Sequence, residues 1–337
     1  MSIPANLTAD SLTAFSNAAA GHDGVLSDPS GTLLIKPCTP RELAFYESLH
    51  LHPTLAPYVP AFLGTLAPST PADIPPEAAA EATSLSEAVA AQPNHNRNLL
   101  IVLENLTAPF EHPTILDLKL GAQLWDDEAS LEKRKRLDDV ANATTSGSLG
   151  YRIAGMKVWD PITSSYKVYD KMYGRQFNES DIIKGVEDFF AGLGDETELK
   201  IKLAERFLST ASGVREVLEK EESRMYSASL LFVFEGGAKE LREALEQEAI
   251  LDEERRKKQE ARRASGIDTD DEEVDDDEEE EDDDVPRKGV ENCKLIDFAH
   301  ASWTPGQGPD ENLLRGVRNV EKLFGEFLEK QKAKLAA

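Results

Sequence analysis

Apolar positions along the chain fall into two kinds of pattern, short continuous runs and longer stripes at helical spacing. The runs Gly31 to Lys36, Asn98 to Leu103, Thr114 to Leu120, Tyr151 to Trp159, Tyr166 to Tyr169, Ser227 to Phe234 and Cys293 to Phe298 predict strands. A turn at Asp160-Pro161 joins two of them. Thr39, followed by proline at the first helical position, predicts a helix through Leu49. Further helices are predicted over 127–141, 179–193 and 197–222. A last one runs from about Glu311, with Leu313, Leu314, Val317, Val320, Phe324 and Phe327 on one face.

Between these elements the pattern lapses. Residues 1–30 predict a flexible arm, and residues 53–97, rich in proline and alanine, an irregular connection with one short helix around 78–91. Residues 238–263 favour helix but run into an acidic tract, and about 264–288 predicts a disordered insertion whose self-repulsion cannot offset the entropy of ordering. Strands together with helices predict an α+β protein, and the length allows one large domain or two lobes.

Charge changes the picture less than its total suggests. The formal net charge is -26, but fifteen acidic residues lie between Asp268 and Asp284, and the remainder carries about -11. A basic pocket for a polyanion is therefore compatible with the composition. Cys38 and Cys293 stand alone, with neither disulfide nor zinc spacing, which fits a reducing compartment. No stretch resembles a secretion signal or an integral membrane span.

Three segments carry candidate chemistry. In Pro113 to Gly121, strand alternation puts Asp117 and Lys119 on one face, with Leu116, Leu118 and Leu120 on the other. Alone, this could be a surface ion pair; the apolar reverse face argues for a covered strand with its charges in a cleft. Leu295-Ile296-Asp297-Phe298 ends a buried run on a carboxylate, which alone could be a turn former or the group that holds magnesium at nucleotide phosphates. Lys36 ends another strand, where a lysine is either solvated or able to reach nucleotide phosphates. Lys133-Arg134-Lys135-Arg136 lies on a predicted helix, so Lys133 and Arg136 share a face that suits a phosphate, a solvated surface or a nuclear localisation signal.

Taken in order, these segments resemble the inositol polyphosphate kinase family, and within it the fungal multikinases. Pro113 to Gly121 matches the PxxxDxKxG signature, supported by Gly150 to Trp159, Tyr173-Gly174-Arg175, Ser229-Leu230-Leu231 and Ile296-Asp297-Phe298. The family's Ser-Ser-Leu-Leu element reads Ala228-Ser229-Leu230-Leu231 here. The resemblance implies a two-lobed, protein-kinase-like, SAICAR-synthase-like ATP-binding architecture without a GxGxxG loop, with an N-terminal ATP-binding lobe at residues 31–106 and a C-terminal lobe at 107–337 that carries the inositol-binding helix. It implies ATP and Mg2+ as cofactors and phosphorylation of inositol tris- and tetrakisphosphates towards the pentakisphosphate.

By the same resemblance, Lys36 contacts ATP phosphates, Glu104 and Leu106 offer backbone groups to adenine, Asp117 reaches the ribose with a base role open, and Asp297 binds metal. Lys119 would stand between the phosphoryl group and the accepting hydroxyl. Lys133, Arg134, Arg136 and Lys171 would bind substrate phosphates. Hexakisphosphate kinase, trisphosphate 3-kinase and a noncatalytic nuclear scaffold are the alternatives. A monomer in nucleus and cytoplasm is expected, with basic nuclear proteins or transcription factors as partners of the acidic tract, and no direct nucleic-acid binding.

Overall fold

The computed structural model describes residues 7, 11–17, 19, 24–66, 99–264 and 287–337. The first part of the chain forms strands β1 (Thr13–Ala14), β2 (Leu26–Ser27) and β3 (Leu33–Pro37), helix α1 (Pro40–Ser48), then β4 (Phe62–Leu66) and β5 (Leu100–Glu104). These strands make one antiparallel sheet in the order β1-β2-β3-β5-β4, in which Lys36 lies opposite Ile101. The Thr39 hydroxyl accepts from the Glu42 amide at 3.1 Å and so caps α1.

The second part comprises β6 (Pro113–Leu120), α2 (Leu131–Asn142), α3 (Thr145–Leu149), β7 (Tyr151–Asp160), β8 (Ser165–Tyr169), α4 (Lys171–Arg175), α5 (Ile183–Phe189), α6 (Thr197–Leu218), β9 (Ser223–Met225), β10 (Ser229–Glu235), α7 (Ala238–Ala264), β11 (Glu291–Ile296), β12 (Ala301–Trp303) and α8 (Glu311–Ala336). A larger antiparallel sheet runs β11-β10-β6-β7-β8, and β9 pairs with β12 in a short ribbon.

The alternation in β6 decides how the large sheet is used. Leu116, Leu118 and Leu120 are fully buried, and cross-strand pairing aligns Leu116 with Phe232 and Leu118 with Leu230. Behind that face α6 and α8 pack together, and Phe189, Phe190, Phe207, Phe232, Phe234, Phe324 and Phe327 interlock in stacked and edge contacts. Asp117 and Lys119 take the opposite face, as the alternation predicts.

Several boundaries differ from expectation. Part of the expected arm is tethered, because β1 and β2 extend the small sheet and the Lys157 ammonium donates to the Ser16 carbonyl and Asn17 Oδ1 at 2.8 and 2.6 Å. The expected irregular connection contains β4, whose pairing with β5 rests on partners far away in sequence. The 127–141 helix starts at Leu131 because Ser130 caps it, accepting from the Lys133 amide. The 179–193 helix is the shorter α5 followed by a tight turn at Ala191–Leu193. The expected helix 78–91 and acidic insertion lie outside the described residues, apart from α7, which extends to Ala264. Among the described residues no helix is long and apolar enough to cross a membrane.

Candidate functional site

Glu104-Asn105-Leu106 joins the two sheets. Asn105 holds the junction by donating its side-chain amide to the Gly31 carbonyl at 2.6 Å and accepting from the Thr107 amide at 3.0 Å. Glu104 accepts from the Ala61 amide at 3.2 Å, and Leu106 is buried. The two residues expected at adenine thus sit at the turn between the lobes.

Across that turn the sheets bring three sequence-distant residues together. Lys36 from β3 places its ammonium 3.1 Å from Asp297 Oδ1, and Lys119 from β6 lies 3.8 Å from Asp297 Oδ2. One carboxylate therefore bridges two lysines, one from each lobe. Burial alone would lower the Lys36 pKa, but the carboxylates of Asp297 and Glu42 outweigh it and hold the ammonium well above the ordinary lysine range. Lys36 is charged at any physiological pH.

Glu42 was not anticipated. It is fully buried and its Oε1 accepts from Lys36 at 2.9 Å. The available signal was the Thr39-x-x-Glu42 spacing of a helix start; the carboxylate turns to Lys36 instead of closing a capping box.

Backbone strain surrounds Lys119. Among the described residues, only Ser164, Ser227 and Asp297 combine a side chain with positive φ, and two of them hold this lysine. The Ser227 carbonyl, at φ 60°, accepts from Lys119 at 2.8 Å, while Asp297 has φ 69°. Such conformations cost of order 1 kcal/mol each and persist where surrounding structure enforces them.

Asp117 is buried at 3% exposure on the same face as Lys119, and its negative charge acts on Arg152 of β7. A second charged group lies nearby. Buried Asp126 accepts from Arg41 of α1 and from His300 Nδ1, both at 2.7 Å, so it ties the small lobe to the loop that follows Asp297. Burial would raise the Asp126 pKa; the His300 hydrogen bond and charge, with Arg41, bring it below its usual 3.8. Sequence reasoning left His300 and Asp126 without chemistry, since neither spacing nor pattern joins them.

The basic helix is divided. Arg134 turns back, donating from Nε to the Ala129 carbonyl at 2.9 Å, from its terminal nitrogen to the Asp127 carbonyl, and stacking over Trp125 at 4.5 Å. Its guanidinium holds the loop before α2, whereas it was expected among the residues that bind substrate phosphates. Lys133 is half-buried and Arg136 exposed, and Lys171 is exposed at the start of α4.

A divalent cation fits this donor set. Among the described residues there is no cluster of three or more potential ligands. Magnesium at nucleotides usually takes one or two carboxylates plus phosphate oxygens and water, and Asp297 offers that carboxylate.

Comparison with known proteins gives concordant matches. A model described as inositol polyphosphate kinase matches residues 100–325. The inositol polyphosphate multikinase of Saccharomyces cerevisiae is 34% identical, with 95% of this chain and 99% of that protein aligned. That of Schizosaccharomyces pombe is 31% identical at the same coverage. A crystal structure of the Saccharomyces cerevisiae inositol phosphate multikinase in complex with ADP and Mn2+ superposes with a TM-score of 0.62 at 30% identity, over 88% of this chain and all of that one.

Proposed function

This chain belongs to the inositol polyphosphate kinase family, and we propose that it works as a multikinase, transferring the terminal phosphoryl group of ATP to hydroxyls of inositol tris- and tetrakisphosphates. The observation that carries this reading is Asp297 bridging Lys36 and Lys119 between the lobes. A phosphoryl transition state is loose, so it needs positioning and charge neutralisation more than a strong base.

Each residue then has a task. Lys36, kept charged by Glu42 and Asp297, neutralises nucleotide phosphates. Glu104 and Leu106 present backbone groups to adenine, and Asp117 reaches the ribose. Lys119 meets the phosphoryl group from the large sheet, its ammonium steered by the Ser227 carbonyl. Lys133, Arg136 and Lys171 receive phosphates of the acceptor. Asp297 would hold Mg2+, which when bound draws charge from the β- and γ-phosphates.

The test is turnover of inositol 1,4,5-trisphosphate with ATP and Mg2+, with products identified by chromatography or NMR. The native protein is expected to yield tetrakis- and pentakisphosphates, and Asp297→Ala to lose about 10³-fold or more. No turnover by the native protein would sink the reading. Pyrophosphate products from the hexakisphosphate would favour a hexakisphosphate kinase instead.

A further inference from the structure

Arg152 and the Tyr173-Gly174-Arg175 triplet have no task in the machinery above, yet the fold brings them beside Lys119. The pairing of β8 with β7 ends at Met156 opposite Tyr169, so the stretch of β7 from Tyr151 to Gly155 has no β8 partner. Helix α4 packs against β7. Gly174 sits so close that a Cβ would overlap the Ile153 carbonyl oxygen, so docking requires glycine there. This contact brings Arg175 next to Arg152, the neighbour of Ile153.

Arg152 lies directly opposite Lys119 in the β6–β7 register, and residues so paired share a face of the sheet. A row of three cations therefore runs from β6 through β7 to α4. Their anionic partners are fewer. Arg152 donates to the neutral Ser146 hydroxyl at 2.8 Å, and Arg175 Nε is buried with no hydrogen-bond acceptor among the described residues. Burial first, then the Arg175 charge, push the Arg152 pKa down to about 10, with Asp117 offsetting only part. Arg152 still carries its charge at neutral pH, and two guanidinium groups packed together favour an added anion.

We propose that Arg152 and Arg175 form a subsite that receives a phosphate group of the inositol phosphate acceptor beside Lys119. The subsite deepens the kinase reading and rests on it. A forked guanidinium suits a phosphate, and the acceptor is favoured over the nucleotide by connectivity. Ser146, bonded to Arg152, stands on α3, which follows directly on the basic helix α2, whereas Lys36 and Glu104 belong to the small sheet. A phosphate held here would fix which ring hydroxyl faces Lys119, so the pair would set specificity as well as affinity.

Steady-state kinetics of Arg152→Gln and Arg175→Gln test this. The KM for inositol phosphate should rise about 10- to 100-fold, the KM for ATP should stay within about twofold, and Arg175→Lys should recover part of the loss. Labelling of the native protein with an arginine-directed dicarbonyl reagent, read by mass spectrometry, avoids any folding defect of the variants. Inositol trisphosphate should protect both arginines and ADP should protect neither. Unchanged acceptor KM in folded variants, or protection by ADP alone, would overturn the subsite while leaving the kinase reading intact if native turnover is present. Absent native turnover refutes that reading, and the labelling still decides whether the arginines bind the phosphates.

Discussion

The two sheets hold their halves of the site by unequal means. The large sheet is backed by seven fully buried phenylalanines packed with α6 and α8. Among the described residues, one side of the small sheet buries only Leu33, Ile35, Leu100 and Val102, edged by partly buried leucines and without an aromatic residue. Its other side reaches the main core through Ile101, Leu103 and α1. Elements with fewer buried apolar contacts open at lower free energy. The large lobe, which carries Lys119 and the residues proposed for the acceptor, is thus the more firmly packed of the two, and the small lobe, which carries Lys36, the one that opens at lower cost.

Four substitutions would break or sharpen that contrast, in falling order of effect. Phe324→Ala should cost about 3–5 kcal/mol of global stability in denaturant unfolding; a cost like that of a surface change would remove the claim that the large lobe is the more firmly packed. Lys36→Met should lower kcat/KM for ATP about 100-fold, near 2.7 kcal/mol, with the acceptor KM little changed. An equal rise in both KM values would show that the small lobe serves the acceptor too. Ile35→Ala should cost about 2 kcal/mol, the low end for such a truncation, since a small cluster can collapse. Hydrogen exchange should quicken in β3 and β5 and stay unchanged in β10, and spreading to β10 would mean the sheets open as one unit.

The smallest effect concerns the tie between the lobes. Asp126 titrates below its usual 3.8, so its ionised form contributes stability above that value which is lost as pH falls through the folded-state pKa. Asp126→Asn should flatten the acid limb of the stability–pH curve and leave the neutral limb parallel to that of the native protein. An unchanged acid limb would show that Arg41 and His300 do not couple the lobes through this carboxylate.

Much of this division was legible in the sequence. The alternation of β6 identified both its buried face and the charged face with Asp117 and Lys119, and the apolar spacing of α8 identified its packing stripe. Lys36 and Asp297 could be named but not joined, because 261 positions separate them and only the stacking of two sheets brings them within 3.1 Å. Strand β4 escaped notice because proline and alanine around it masked five residues whose pairing is entirely long-range. Arg134 looked equivalent to its neighbours until Trp125 and two carbonyls claimed it; helical spacing gives a face, not a side chain's partner. Glu42 and Asp126 depend in the same way on contacts that no local pattern encodes.

The left-handed backbone at Asp297 has an evolutionary corollary. Glycine adopts φ 69° without the Cβ penalty, so Asp297→Gly would relieve local strain while deleting the carboxylate that both lysines share. Selection for folding and selection for turnover pull this one codon in opposite directions. In a lineage released from the need for catalysis, position 297 is where a drift to glycine would be expected to surface early.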